Sequence, residues 1–355
     1  MSNITLYDKF FGCIAGAHIG SAMGAQVEGW PYSKIEEKYG TLDHYESYMH
    51  YKNGWQREPG TTEDGIERQK LMITAIMEKQ GRITAEDLKN TWIKHMNPEA
   101  PGGISEPFEG ILLAMAKADL PARDIGKYCD YAGLVSFGRS CHPIGLINAG
   151  NVQGAVDDVY EVGQLYQTSN SRGLKWACVT AVAIAAATKP GATVDSVIGE
   201  IYNIADTQWV LPEIERELKN TKGISDFKGL REYFDGVYSN RGLPYQFSYA
   251  NEIITKGVCI FQMVKGVTKD AVIAAVNMGR DTDCAAAVAA GISGALTGAS
   301  SLPDEWITQL DYATSVNPKT CTKRTLKEHA NGLYGAFKSS LQNININLSE
   351  MSKEG

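Results

Sequence analysis

The chain has 355 residues, with 34 Lys plus Arg against 41 Asp plus Glu and a formal net charge of −7. That acidic balance, with no Lys/Arg run, argues against nucleic acid as the main partner. Glycine supplies 36 residues, about a tenth of the chain against an average near 7%, yet 12 prolines and no Gly/Ser tract accompany it, so flexible linkers do not explain the excess.

A hydrophobic fraction of 43% with 21% charged residues is ordinary for a soluble globular protein. The stretches Trp176–Thr188 and Cys284–Ala299 are Ala/Gly-dominated and short for a membrane span. Met1–Asp8 lacks the basic and Leu-rich regions of a signal peptide. Seven cysteines with no C-x-x-C pair point away from zinc ribbons and disulfide frameworks, so a reduced, cytoplasmic protein is expected.

In chain order, Gly12, Gly16, Gly20 and Gly24 recur every four residues and fall along one side of a single helix. Each glycine costs an isolated helix about 1 kcal/mol relative to alanine, so the stripe makes sense where another backbone approaches closely. Asp283–Gly298, similarly stripped of bulk, is the expected partner. Glu28 follows in a loop. Ile66–Met77 and Leu88–Met96 carry helical periodicity. Thr84, Thr193 and Thr268 precede acidic first-turn residues as expected caps, and Gly40, Gly81 and Gly279 follow periodic runs as expected stops. Pro98–Pro107 and Phe137–Gln153 read as loops and candidate binding walls. The reading is all-α, one domain over 1–345 and a tail at 346–355.

Two acidic motifs stand at predicted helix starts. Thr62-Glu63-Asp64 is a helix cap or a metal motif, and Thr84-Ala-Glu-Asp87 has the same form without apparent chemistry. In Asn277-Met-Gly-Arg-Asp-Thr-Asp283, a Gly-containing turn delivers Asp281 and Asp283 to an Ala-rich helix. Two carboxylates spaced by one residue suit a hard divalent cation or a doubly acidic cap. Arg139 and His142, in Arg139–Gly145, are candidates for meeting a phosphate or nucleobase, against a local hydrogen bond for the histidine.

Gly12–Glu28, Pro59–Asp64 and Asn277–Asp283, in that order, resemble three motifs of the ADP-ribosylglycohydrolase family. The resemblance implies an orthogonal all-α bundle and a hydrolase with two divalent cations, usually magnesium or manganese, in a cleft. It implies Thr62, Glu63, Asp64, Asp281 and Asp283 as metal ligands, Glu28 as a ligand or acid–base group, and Glu28 and Asp281 as catalytic. Gly150-Asn151 is similar to a loop lining the family's ribose pocket. The substrate implied is an ADP-ribosyl protein or an ADP-ribosyl or ribosyl small molecule, with no membrane partner. Oligomeric state is left open.

Five converging carboxylates repel strongly: two charges 4 Å apart cost about 4 kcal/mol at an effective dielectric near 20. Divalent cations would neutralise them and orient a ribose diol. The chain also departs from the family pattern. Ser21 stands where Asp is usual, Gln26 for Pro, Glu63 for Asp, Gly65 for Thr, Cys284 for Thr, and Gln167–Ser171 lacks the usual Thr-His. Thiol sulfur is a poor magnesium ligand. Two rival readings are a non-catalytic relative on the same scaffold, and a class I isoprenoid synthase with Asp157-Asp158 as its metal motif. The second lacks its partner motif, because Cys259 stands where Glu is needed, and it leaves Asp157 and Asp158 on a solvated face.

Overall fold

The glycine stripe folds as expected, and it places everything else. In the computed structural model, which describes residues 4–49, 54–96, 107–129, 131–239 and 248–353, the chain forms α1 (Leu6–Ala25), α2 (Tyr32–Tyr39), α3 (Asp64–Lys79), α4 (Ala85–His95), α5 (Pro107–Lys117), α6 (Ala122–Ile125), α7 (His142–Ile147), α8 (Val152–Gly163) and α9 (Arg172–Ala187). There follow α10 (Val194–Ile204), α11 (Leu211–Thr221), α12 (Phe227–Tyr238), α13 (Ala250–Met263), α14 (Thr268–Val276), α15 (Thr282–Thr297), α16 (Asp304–Val316) and α17 (Leu326–Met351). The β structure among the described residues is a two-residue antiparallel ladder, Tyr48–Met49 with Gln56–Arg57, and one isolated bridge.

Helices α1 and α15 run antiparallel at the centre. A Cβ placed on Gly16 would fall 2.5 Å from the Ala290 carbonyl oxygen, and one on Gly20 would fall 2.8 Å from that of Ala286. Gly12 meets Gly294 and Gly298, so glycine faces glycine at the other end. Every residue of α15 from Thr282 to Leu296 is buried, which suits a helix apolar on all sides. Helices α9, α13 and α14 enclose α15, and α14 and α17 flank α1. Among the described residues, no helix is long and apolar enough to cross a membrane.

Local signals mostly behave as their chemistry dictates. Thr84 and Thr193 close capping boxes, and Gly40 ends α2 at φ 67°. Three details differ. Val267 caps α14, because the Thr268 hydroxyl is drawn to the Gly298 carbonyl at 2.7 Å. Gln80, not Gly81, takes the left-handed position after α3. Phe137–Gln153 is no loop throughout: Pro143 fits the first turn of α7, where its missing N–H costs nothing, and the whole helix is buried. Of Pro98–Pro107, residues 98–106 lie outside the described residues, and Pro107 starts α5. The final helix continues to Met351 through much of the segment read as a tail. Six cysteines are buried and Cys321 is half-buried, all as free thiols.

Candidate active site

The C-terminal end of α1 meets the N-terminal end of α15, and this junction builds the site. Thr282 donates its hydroxyl to the Gly24 carbonyl at 2.8 Å, and a Cβ on Gly24 would lie 2.6 Å from the Asp283 nitrogen. The next residues pair through backbone: Gly29 N–H donates to the Arg280 carbonyl at 2.8 Å, and Arg280 N–H to that of Trp30 at 2.7 Å. Gly279 and Arg280 are both left-handed, at φ 73° and 67°. Any Cβ at Gly279 would meet Tyr32 N at 2.6 Å. That turn swings Asp281 into the N-cap of α15, and the Arg280 guanidinium is held by two bonds to Glu252, at 2.7 and 2.9 Å. Asn277 clamps the neighbouring loop by accepting from Leu42 N–H and donating to its carbonyl, both at 2.9 Å.

Asp281 and Asp283 are both 2% exposed. Asp281 Oδ1 accepts from the Cys284 N–H at 3.3 Å. Asp281 Oδ2 and Asp283 Oδ1 are buried without a hydrogen-bond partner. Orphaned carboxylate oxygens are costly in a native interior. Burial, then the fields of Glu28 and Asp281, push the Asp283 carboxyl well above its ordinary range. Burial and the same two aspartates push the Cys284 thiol well up. Ligand atoms of Asp281, Asp283 and Cys284 lie within 4.8 Å of one another. The two aspartates fit a divalent cation by their open oxygens; a neutral thiol adds little for magnesium.

The other motif sits opposite but is engaged differently. Glu63 is the N-cap residue of α3 without capping by its side chain. Its carboxylate accepts from the Tyr48 hydroxyl at 2.6 Å and forms an ion pair with Arg57, which is 2% exposed. Asp64 Oδ2 pairs with Arg139 Nη2 at 2.5 Å. Burial would raise the Asp64 pKa, but Arg139, Arg68 and the Gly65 N–H together hold it below the usual carboxylate value. Arg139, 5% exposed, also donates from Nη1 to Cys284 Sγ at 3.4 Å. Thr62 turns instead to Lys70, whose ammonium donates to its hydroxyl at 3.2 Å and to Glu67 at 2.7 Å.

Glu28 is half-buried and lines a cleft of about 340 Å³ with Trp30, Lys38, Tyr39, Glu46 and Tyr48. Gln26 shapes that wall by donating to the His44 carbonyl at 2.9 Å and accepting from Glu46 N–H at 2.7 Å. The structure thus brings Glu28, Glu63, Asp64, Arg139, Asp281 and Asp283 together. His142 it encloses: Nε2–H donates to the Ala287 carbonyl at 2.9 Å, and Nδ1 accepts from Gln69 at 3.1 Å. Both ring nitrogens are used, and His142 pins α3 and α7 to α15 instead of facing a ligand.

Gly150 and Asn151 are not brought to the carboxylates. Gly150 N–H bonds to Ala185 and Thr188, at the end of α9 that receives the Lys9 ammonium, 2.7 Å from the Ala187 carbonyl. That is the start of α1, whereas the carboxylates stand at its far end. Asn151 caps α8 through the Gly154 N–H at 3.0 Å. Asp158, expected on a solvated face, is buried against Arg82 at 2.7 Å and Asn148 at 2.6 Å. Sequence reasoning missed Tyr48 and Arg57, which face each other in the small ladder and both engage Glu63, an arrangement with no local sequence signal.

Residues 2–342 match the family model for ADP-ribosylglycohydrolase. A search of curated proteins finds no match. Among solved structures, an "ADP-ribosylglycohydrolase-related protein complex" is similar with a TM-score of 0.65 at 17% identity, covering 94% of this chain and 99% of that one. The all-α architecture is therefore an ADP-ribosylglycohydrolase-like fold.

Proposed function

The chain belongs to the ADP-ribosylglycohydrolase family, and from that premise we propose that it hydrolyses a ribosyl N-glycosidic bond with a divalent cation at Asp281 and Asp283. The substrate class is an ADP-ribosyl protein or an ADP-ribosyl or ribosyl small molecule. The supporting observation is the pair of buried, unpartnered oxygens, Asp281 Oδ2 and Asp283 Oδ1, beside Glu28 at the cleft. A bound magnesium or manganese ion would neutralise these charges, engage ribose hydroxyls and lower the pKa of water.

The chain's own groups have separable tasks. Glu28, reachable from the cleft, takes the proton of the attacking water as its oxygen bonds to the anomeric carbon. The C–N bond breaks in the same displacement, its electron pair leaves with the nitrogen, and the nitrogen takes a proton from solvent, to which Glu28 afterwards releases its own. Trp30, with Lys34 Nζ 3.6 Å from its ring centroid, and Tyr39 offer flat surfaces for a base or ring. Tyr48 and Arg57 fix the Glu63 side of the wall.

The test is turnover on a panel of ADP-ribosyl and ribosyl substrates with manganese or magnesium. The Asp281→Asn/Asp283→Asn double variant should lose release of the product; unchanged release removes the site assignment. A second reading, a relative that binds but does not cleave, is favoured by one observation: guanidinium groups pair with Glu63 and Asp64. Saturable binding of ADP-ribose without turnover in any metal would select it.

A further inference from the structure

We infer that this chain holds one divalent cation, at Asp281 and Asp283, and that the Arg139 guanidinium is a built-in cation on Asp64 where the family resemblance implies a second metal. This rests on the proposed reading for the first cation, and it concerns the number of ions and the chain's own replacement for one. Departures from the family pattern that are unrelated in the sequence meet at one side chain. Gly65, in place of the frequent Thr, leaves room that Arg139 fills, since a Cβ there would lie 3.0 Å from Arg139 Cδ and 3.3 Å from Nε. Cys284, also in place of Thr, accepts from Arg139 Nη1 at 3.4 Å. Asp64 is bound by the other terminal nitrogen at 2.5 Å. Two of the exchanged positions therefore line one buried guanidinium.

The third exchange fits the same scheme. Glu63 carries one methylene more than Asp, and its carboxylate forms the ion pair with Arg57, itself 2% exposed. A planar guanidinium matches carboxylate geometry and stays charged at any working pH. Each of these two carboxylates thus already has a fixed positive partner. The remaining acidic groups are Glu28, Asp281 and Asp283, and the unpartnered oxygens are on the last two. Two orphaned carboxylate oxygens with Glu28 beside them suit one divalent ion. A second ion beside Asp64 would have to displace Arg139, a cation buried by the fold and packed against Gly65 and Cys284.

Stoichiometry tests this without substrate: manganese titrated into the intact chain, with free ion read by electron paramagnetic resonance. The wild type should bind one ion per chain, and Asp281→Asn/Asp283→Asn none. Arg139→Gln exposes Asp64 and should bind a second ion. Because a buried Asp64 without its partner is a threat to folding, Asp64→Asn/Arg139→Gln provides the second arm, and it should keep one ion at unchanged affinity. Two ions on the wild type, no ion on it, one on Arg139→Gln, or loss of binding in the Asp64→Asn/Arg139→Gln variant each overturns the inference. An inactive chain with one ion refutes the hydrolase reading alone, and an active chain with two refutes this inference alone.

Discussion

Replacing Gly16 by alanine adds one methyl group to the face of α1 that meets α15. In an exposed helix the same change stabilises by about 1 kcal/mol through propensity and unfolded-chain entropy. Here the new Cβ would lie 2.5 Å from the Ala290 carbonyl oxygen and 2.9 Å from the Thr268 methyl, where ordinary contact begins at 3.4 Å. The closest contact is with backbone, so no rotamer change relieves it and the helices must part. Overpacking of a close-packed core costs about 1–3 kcal/mol, and a backbone obstacle places this site at the upper end. After the propensity gain, the net loss is about 1–2 kcal/mol. Gly335 in α17 is the internal control, because a Cβ there meets nothing within 4 Å. Thermal or urea melts should show Gly16→Ala lowered and Gly335→Ala raised or unchanged. A rise in both would refute the claim that the stripe exists for close approach.

Three further outcomes follow from named contacts. Burial pushes the His142 pKa from 6.5 down to about 4, so the folded chain resists a proton that the unfolded chain accepts. Its stabilisation is complete above pH 6.5 and drains as pH falls toward 4, at up to about 1.4 kcal/mol per pH unit; His142→Gln should flatten the melting-temperature profile across that window, while His329, pushed to about 3, keeps its own contribution. Tyr48→Phe removes the hydroxyl bonds to Glu63 and to the Thr61 carbonyl, at 2.6 and 3.1 Å. It should cost about 1–2 kcal/mol in denaturant melts; an unchanged midpoint would show that the ladder holds Glu63 without it. In chelator, Asp281→Asn/Asp283→Asn should melt above the wild type, since like charges are removed, and its melt should ignore added manganese; a manganese shift equal to the wild type's would contradict the ligand assignment.

Much of the fold was readable because its signals are local. A four-residue glycine period can be read off one helix, and so can the bulk-free helix that answers it. Asp281 and Asp283 were legible as a pair because a turn and two carboxylates occupy seven consecutive residues. What escaped was the long-range pairing. Arg139 lies 75 residues from Asp64 and 145 from Cys284, so its role as their common partner is invisible until the chain folds. Asp158 was misplaced for the same reason, since Arg82 is 76 residues away. Phe137–Gln153 misleads by composition: Gly145 and Pro143 look like breakers, yet Pro143 fits the first turn of α7 and Gly145 lets that helix press on Ile184. The departures at Gly65 and Cys284 were visible as exchanges, but their shared neighbour was not.

The central claim is that a divalent ion at Asp281 and Asp283 presents a ribosyl group to Glu28. Anomalous diffraction from crystals grown with manganese and ADP-ribose tests it most directly. The account predicts one anomalous peak, ligated by Asp281 and Asp283, with the ribose diol directed to it from the cleft of Glu28, Trp30 and Tyr48. A peak between Glu63 and Asp64 with Arg139 displaced, or a ligand seated away from the cleft of Glu28, would contradict it.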